Sequence, residues 1–112
     1  MQFTYIPLTE LCPGDIVRIH RVFYWHYGIF CGKGEIIHFT TYPQHFWSSK
    51  AEVKKTLLSE FIRSSTKVEV MRQPNEKSHV ILANAYRRIG EHGYSLFKNN
   101  CLHFALSCIK TI

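Results

Sequence analysis

Nowhere in its 112 residues does this chain hold an apolar run approaching the ~18 residues that a membrane-spanning helix requires. Any work at a membrane is therefore expected to be done from its surface. Cysteine is sparse and unpatterned: Cys12, Cys31, Cys101 and Cys108 form no C-x-x-C pair and follow no disulfide-framework spacing. With no signal-peptide h-region either, a reducing, cytoplasmic setting is expected. Acidic residues are few, 8 against 14 Lys and Arg, for a formal net charge of +6. No Lys/Arg block is dense enough to indicate nucleic acid, and none is expected as a partner. The surplus suits contact with an anionic membrane surface, a protein partner, or solubility alone. No repeat, low-complexity segment or linker divides the chain. The 46% apolar and 20% charged content is ordinary for a folded protein, and residues 1–112 are read as one domain.

The order of elements follows from turn residues and periodicity. Cys12-Pro13-Gly14-Asp15 is a turn, followed by the β-branched stretch Ile16–His20. Residues 27–31 and 35–40 read as two strands around the hairpin turn Gly32-Lys33-Gly34. The segment 51–62 carries Val53, Leu57, Leu58 and Phe61 at helical spacing and predicts a helix. Lys67–Met71 alternates as a fourth strand. After the turn and expected cap at Pro74-Asn75-Glu76-Lys77-Ser78, a helix runs through Val80, Ile81, Ala85 and Ile89 and stops near Gly90. A last helix starts around Cys101 with Leu102, Ala105, Cys108 and Ile109 facing inward. Strands first and helices after them predict an α+β domain, with an antiparallel sheet of about four strands and about three helices.

Within Asn99-Asn100-Cys101-Leu102-His103-Phe104-Ala105, Cys101 stands where a helix begins, with Asn100 placed to cap it. A thiol there sees unpaired backbone N–H groups and the positive end of the helix dipole, both of which favour the nucleophilic thiolate. Two distant histidines, His26 and His38, lie on the paired strands. With the turn centred at Lys33, Gly28 faces His38 and His26 faces Thr40, so both histidines share one face as diagonal neighbours. A one-residue bulge is expected to break this arrangement by throwing one histidine to the other face. Asp15 and Glu35 are the nearest acids, and Glu35 has the wrong parity to share the face of His38. The economical assignment is Cys101 as nucleophile, His26 as base and His38 as the group that fixes the tautomer of His26. Tyr24 is placed to offer its hydroxyl or backbone N–H to a developing oxyanion.

These residues resemble the lecithin:retinol acyltransferase-like family, which includes small phospholipase/acyltransferases and picornaviral proteins with an H-box and an Asn-Cys motif. Pro13-Gly14-Asp15-Ile16 is similar to the family's opening strand, and Tyr24-Trp25-His26-Tyr27-Gly28 to its H-box. Gly32-Lys33-Gly34-Glu35-Ile36-Ile37-His38 resembles its hairpin and second histidine. Val53-Lys54-Lys55-Thr56-Leu57-Leu58 resembles the middle segment, and Asn100-Cys101-Leu102-His103-Phe104 the nucleophile motif. These pieces stand in order at family-like spacing and cover nearly the whole chain. The resemblance implies a circularly permuted papain-like domain, catalytic roles for Cys101, His26 and His38, and an oxyanion role for Tyr24. Leu102 departs from the Glu common in animal members, and the chain stops at Ile112 without the C-terminal anchor many of them carry.

The function so implied is a phospholipid acyl hydrolase or acyltransferase working through an acyl-cysteine, with no cofactor and no metal. Its expected partners are a phospholipid substrate and the membrane surface. Two readings compete with it: a non-enzymatic interaction module of the same fold, and a cysteine amidase or peptidase. A zinc site from His26, His38 and Cys101 uses acceptable ligand types but lacks any short-spaced ligand pair. His103, two positions past Cys101, is read as a structural hydrogen-bonder. Cys12, Cys31 and Cys108 are read as small core residues. The aromatic clusters Phe23-Tyr24-Trp25 and Phe46-Trp47 suit either core packing or a lipid interface.

Overall fold

The computed structural model describes residues 2–20, 25–40, 51–92 and 101–109. Within them, six strands form one sheet: β1 (Thr4–Pro7), β2 (Ile16–His20), β3 (Trp25–Gly32), β4 (Glu35–Thr40), β5 (Glu52–Leu57) and β6 (Lys67–Met71). Their order across the sheet is β1-β6-β2-β3-β4-β5, and every neighbouring pair is antiparallel. The described residues also form three helices, α1 (Leu58–Ile62), α2 (Asn75–Arg87) and α3 (Cys101–Ile109), with a 3₁₀ turn at Leu8–Glu10. The α+β class and the antiparallel sheet are as expected, but the sheet has six strands rather than about four.

Of the two extra strands, β1 pairs with the distant β6, whereas β5 pairs with β4, the strand before it. Strand β1 is mostly exposed and shows no burial alternation, so only its pairing with β6 identifies it. Strand β5 replaces the first half of the helix expected over 51–62. Leu57 is 53% exposed, so it was never part of a helical core stripe. The helical spacing arose because β5 supplies Val53 while the short α1 supplies Leu58, Phe61 and Ile62.

Both faces of the sheet are covered, which explains why β2, β3 and β4 read as near-continuous apolar runs. On one face Ile16, Ile29, Ile37, Phe39 and Val53 pack against Ile81 and Ala85 of α2 and Phe104, Ala105 and Cys108 of α3. On the other, Val17, Ile19, Phe30, Ile36, Val68 and Val70 pack against Phe61 and Ile62 of α1. Cys108 is a core residue as expected, whereas Cys12 is exposed and Cys31 only half-buried; all four cysteines are free thiols.

Helix α2 ends where Gly90, at φ 94, lets the chain turn back, and Gly90 and Glu91 exchange backbone hydrogen bonds with Val53 of β5. Ser78 does not cap this helix; its hydroxyl donates to the carbonyl of Gln73 at 3.0 Å. The completely buried carboxylate of Asp15 accepts two bonds from Arg72, 2.8 Å from Nε and 2.7 Å from Nη2. It also accepts the Cys12 N–H at 2.8 Å, so the turn before β2 is fastened to the end of β6. No helix among the described residues is long and apolar enough to cross a membrane.

Candidate active site

The β3–β4 hairpin puts its two histidines together by combining two irregularities. The turn is a two-residue one, Lys33-Gly34, with positive φ at both positions (54 and 70) and Gly32 paired to Glu35. Continued strictly, that register would set His38 opposite Ile29 and leave the histidines on opposite faces. The register instead shifts between Phe30 and Gly32, giving Phe30↔Ile36, Ile29↔Ile37 and Gly28↔His38. Cys31 is the extra residue. A bulge was expected to destroy the pairing of histidine faces; placed here, on the turn side of both histidines, it creates it. The result is the Gly28↔His38 partnership that the spacing implied, reached by a shorter turn plus a bulge.

His26 Nε2 lies 2.9 Å from His38 Nδ1, with the rings nearly perpendicular at 84°. Both are buried, and Gly28 carries no Cβ between them. Phe61 of α1 packs on both rings, 4.9 Å from His26 and 5.1 Å from His38 between centroids. The imidazoles therefore sit on the α1 side of the sheet. The chain of contacts continues beyond the histidines: His38 Nε2 is 2.8 Å from the Thr56 hydroxyl of β5. Thr56 and His38 share a face because Ile36 pairs with Thr56 and His38 with Lys54. Sequence reasoning missed Thr56 because it assigned that segment to a helix. The available signal was alternation: buried Val53 between Glu52 and Lys54, then Thr56 between exposed Lys55 and Leu57.

Cys101 is the first described residue of α3. It packs in the α2/α3 core, and its thiol donates to the carbonyl of Trp25 at 3.6 Å. Trp25 is the first described residue of β3 and immediately precedes His26, so thiol and base meet the same stretch of one strand, from its two sides. That stretch is held firmly. The Arg18 guanidinium stacks 4.3 Å from the Trp25 ring and 4.0 Å from Phe3, while its Nη2 donates to Glu69 at 2.9 Å. Burial pushes the thiol of Cys108, two turns on, up to about 11. It stays protonated at neutral pH and is a poor nucleophile. Burial also raises the Cys31 thiol above its ordinary value.

Tyr24, expected to serve an oxyanion, and Asn100, expected to cap α3, lie outside the described residues, as do Phe23, Phe46 and Trp47. His103 is exposed on α3, off the face that carries Cys101. Among the described residues, no group of three or more His, Cys, Asp or Glu side chains is arranged to hold a metal ion.

The lecithin retinol acyltransferase family model matches residues 9–111. Human phospholipase A and acyltransferase 1 is 29% identical over 107 residues, covering 83% of this chain and 64% of the relative. Human phospholipase A and acyltransferase 3 is 30% identical over 114 residues, covering 88% of this chain and 70% of the relative. Human phospholipase A and acyltransferase 4 matches at 30% over the same length, with 69% of the relative covered. The chain thus spans a little under two thirds of the first of these proteins and about 70% of the other two.

Proposed function

The chain belongs to the lecithin retinol acyltransferase family, and from that premise we propose that it is a thiol-dependent phospholipid acyl hydrolase or acyltransferase. The observation that carries the reading is the contact chain Thr56–His38–His26, with the Cys101 thiol bonded to the carbonyl of Trp25, the residue before His26. The family's circularly permuted papain-like arrangement, and a single domain over residues 1–112, are part of the same proposal.

In this mechanism Cys101 attacks the carbonyl carbon of an acyl ester. With His26 Nε2 engaged by His38, the thiol proton moves to His26 Nδ1. The oxyanion is received by backbone N–H groups at Cys101 and Tyr24, and Asn100 caps the helix whose dipole favours the thiolate. Collapse of the tetrahedral intermediate breaks the ester C–O bond, and His26 returns its proton to the departing alcohol. The thioester left on Cys101 is then opened by water, releasing fatty acid, or by an amine or alcohol, completing acyl transfer. His38 holds the tautomer of His26 and shares the charge of the imidazolium. A phospholipid substrate requires contact with the lipid surface, which the +6 charge favours.

The test is incubation with mixed phosphatidylcholine and phosphatidylserine vesicles followed by intact-mass analysis. Wild type and Cys108→Ala should each gain one acyl chain and release fatty acid, and Cys101→Ala should do neither. Equal adduct or turnover in Cys101→Ala and Cys108→Ala would overturn the assignment of the nucleophile. A complete lack of adduct and hydrolysis in all three would overturn the enzymatic reading.

A further inference from the structure

We propose that Thr56 is a positioning residue: its hydroxyl oxygen accepts the Nε2–H of His38 and holds the tautomer that arms His26 as a base. The inference rests on the assignment of His26 and Cys101 made above. It follows from tracing protons along the contacts. For His26 to accept the thiol proton at Nδ1, its own ring proton must sit on Nε2. That N–H then donates to His38 Nδ1 across 2.9 Å, which must be the unprotonated nitrogen. His38 is left with its proton on Nε2, pointing at Thr56 Oγ1 at 2.8 Å. The hydroxyl oxygen accepts it and remains free to rotate its own hydrogen elsewhere.

The opposite tautomer of His38, with the proton on Nδ1, would donate to His26 Nε2 and force the His26 proton onto Nδ1. A base protonated there cannot take the thiol proton. The Thr56 oxygen matters most as His26 becomes an imidazolium, because the charge is shared with His38 and strengthens its Nε2–H donation. Thr56 is well placed for this by strand geometry. It lies on β5 two residues along from Lys54, the direct partner of His38, and so reaches His38 diagonally on the same face. It is half-buried.

Thr56→Val preserves the shape and removes the oxygen, whereas Thr56→Ser keeps the oxygen. One hydrogen bond of ordinary strength is worth about a tenfold change in rate when it is lost at the transition state. Thr56→Val should therefore lower kcat about tenfold on phospholipid vesicles with KM unchanged, and Thr56→Ser should restore most of it. The independent readout is the tautomer of His38, assigned from long-range ¹H–¹⁵N correlations of the ring. Wild type and Thr56→Ser should hold the Nε2–H form, and Thr56→Val should shift toward Nδ1–H. An unchanged tautomer in Thr56→Val overturns the proposal, whatever happens to the rate. So does a serine variant as slow as the valine one. A tautomer shift in Thr56→Val, together with no acyl adduct on the wild type, would support the role of Thr56 while removing the acyl chemistry proposed above.

Discussion

Replacing Gly28 by alanine tests whether the two histidines meet only because nothing stands between them. A Cβ built at Gly28 falls 2.9 Å from both Cδ1 and Cγ1 of Ile36 and 3.2 Å from Cβ of His38. Carbon atoms rest at about 3.5–4.0 Å, so the new methyl overlaps Ile36 by about 0.6 Å or more. Ile36 is completely buried and, being β-branched, has few rotamers to escape into. Overpacking of this kind costs about 1–3 kcal/mol. Alanine offsets part of it by restricting the unfolded chain, by about 0.4–1 kcal/mol. The net expectation is a loss of about 1–2 kcal/mol, or a Tm lower by about 5 °C for a domain of this size. Urea unfolding followed by tryptophan fluorescence or circular dichroism measures it, and a cycle with Ile36→Val isolates the cause. Shortening Ile36 removes one of the two crowding atoms, so the double variant should recover about 0.5–1 kcal/mol relative to additivity. The push on His38 should also cut turnover more than the stability loss accounts for. Wild-type stability in Gly28→Ala, or strict additivity in the cycle, would refute the reasoning.

Two further outcomes follow from the same contacts. Arg72→Met strands the buried Asp15 carboxylate with only the Cys12 N–H, and because Arg72 is itself half-exposed the expected loss is about 2–3 kcal/mol, below the range for a fully buried pair; a change under about 0.5 kcal/mol in urea unfolding would show that the pair is immaterial. His38→Gln should retain more kcat/KM than His26→Ala, because a glutamine can still accept from His26 Nε2 whereas loss of His26 removes the base itself; equal loss in the two would deny His38 a merely orienting role.

Several features were legible without a structure because they are local. A hairpin announces itself in Gly32-Lys33-Gly34 between apolar runs, and the apolar stripe after Cys101 reads as helix. The motif order was likewise readable, and it carried the family resemblance. The spacing of His26 and His38 about the turn implied their common face, but it did so by compensation: the expected turn was one residue longer and the bulge at Cys31 was not foreseen. Turn length and bulges trade against each other without changing composition, so residue counting alone cannot separate them.

What the tertiary structure decided are the contacts between residues distant in sequence. Strand β5 was mistaken for helix because an edge strand exposed on one side has a weak period-2 pattern, and its identity comes from its hydrogen bonds to β4 rather than from its own residues. With that pairing comes Thr56, 18 residues from the His38 it touches. Asp15 likewise could be assigned no partner until β6 brought Arg72 to it across 57 residues. Local sequence determines which backbone conformations are cheap and which residues want burial; the choice among sheet neighbours depends on packing both faces of one sheet at once, and that is a property of the whole chain.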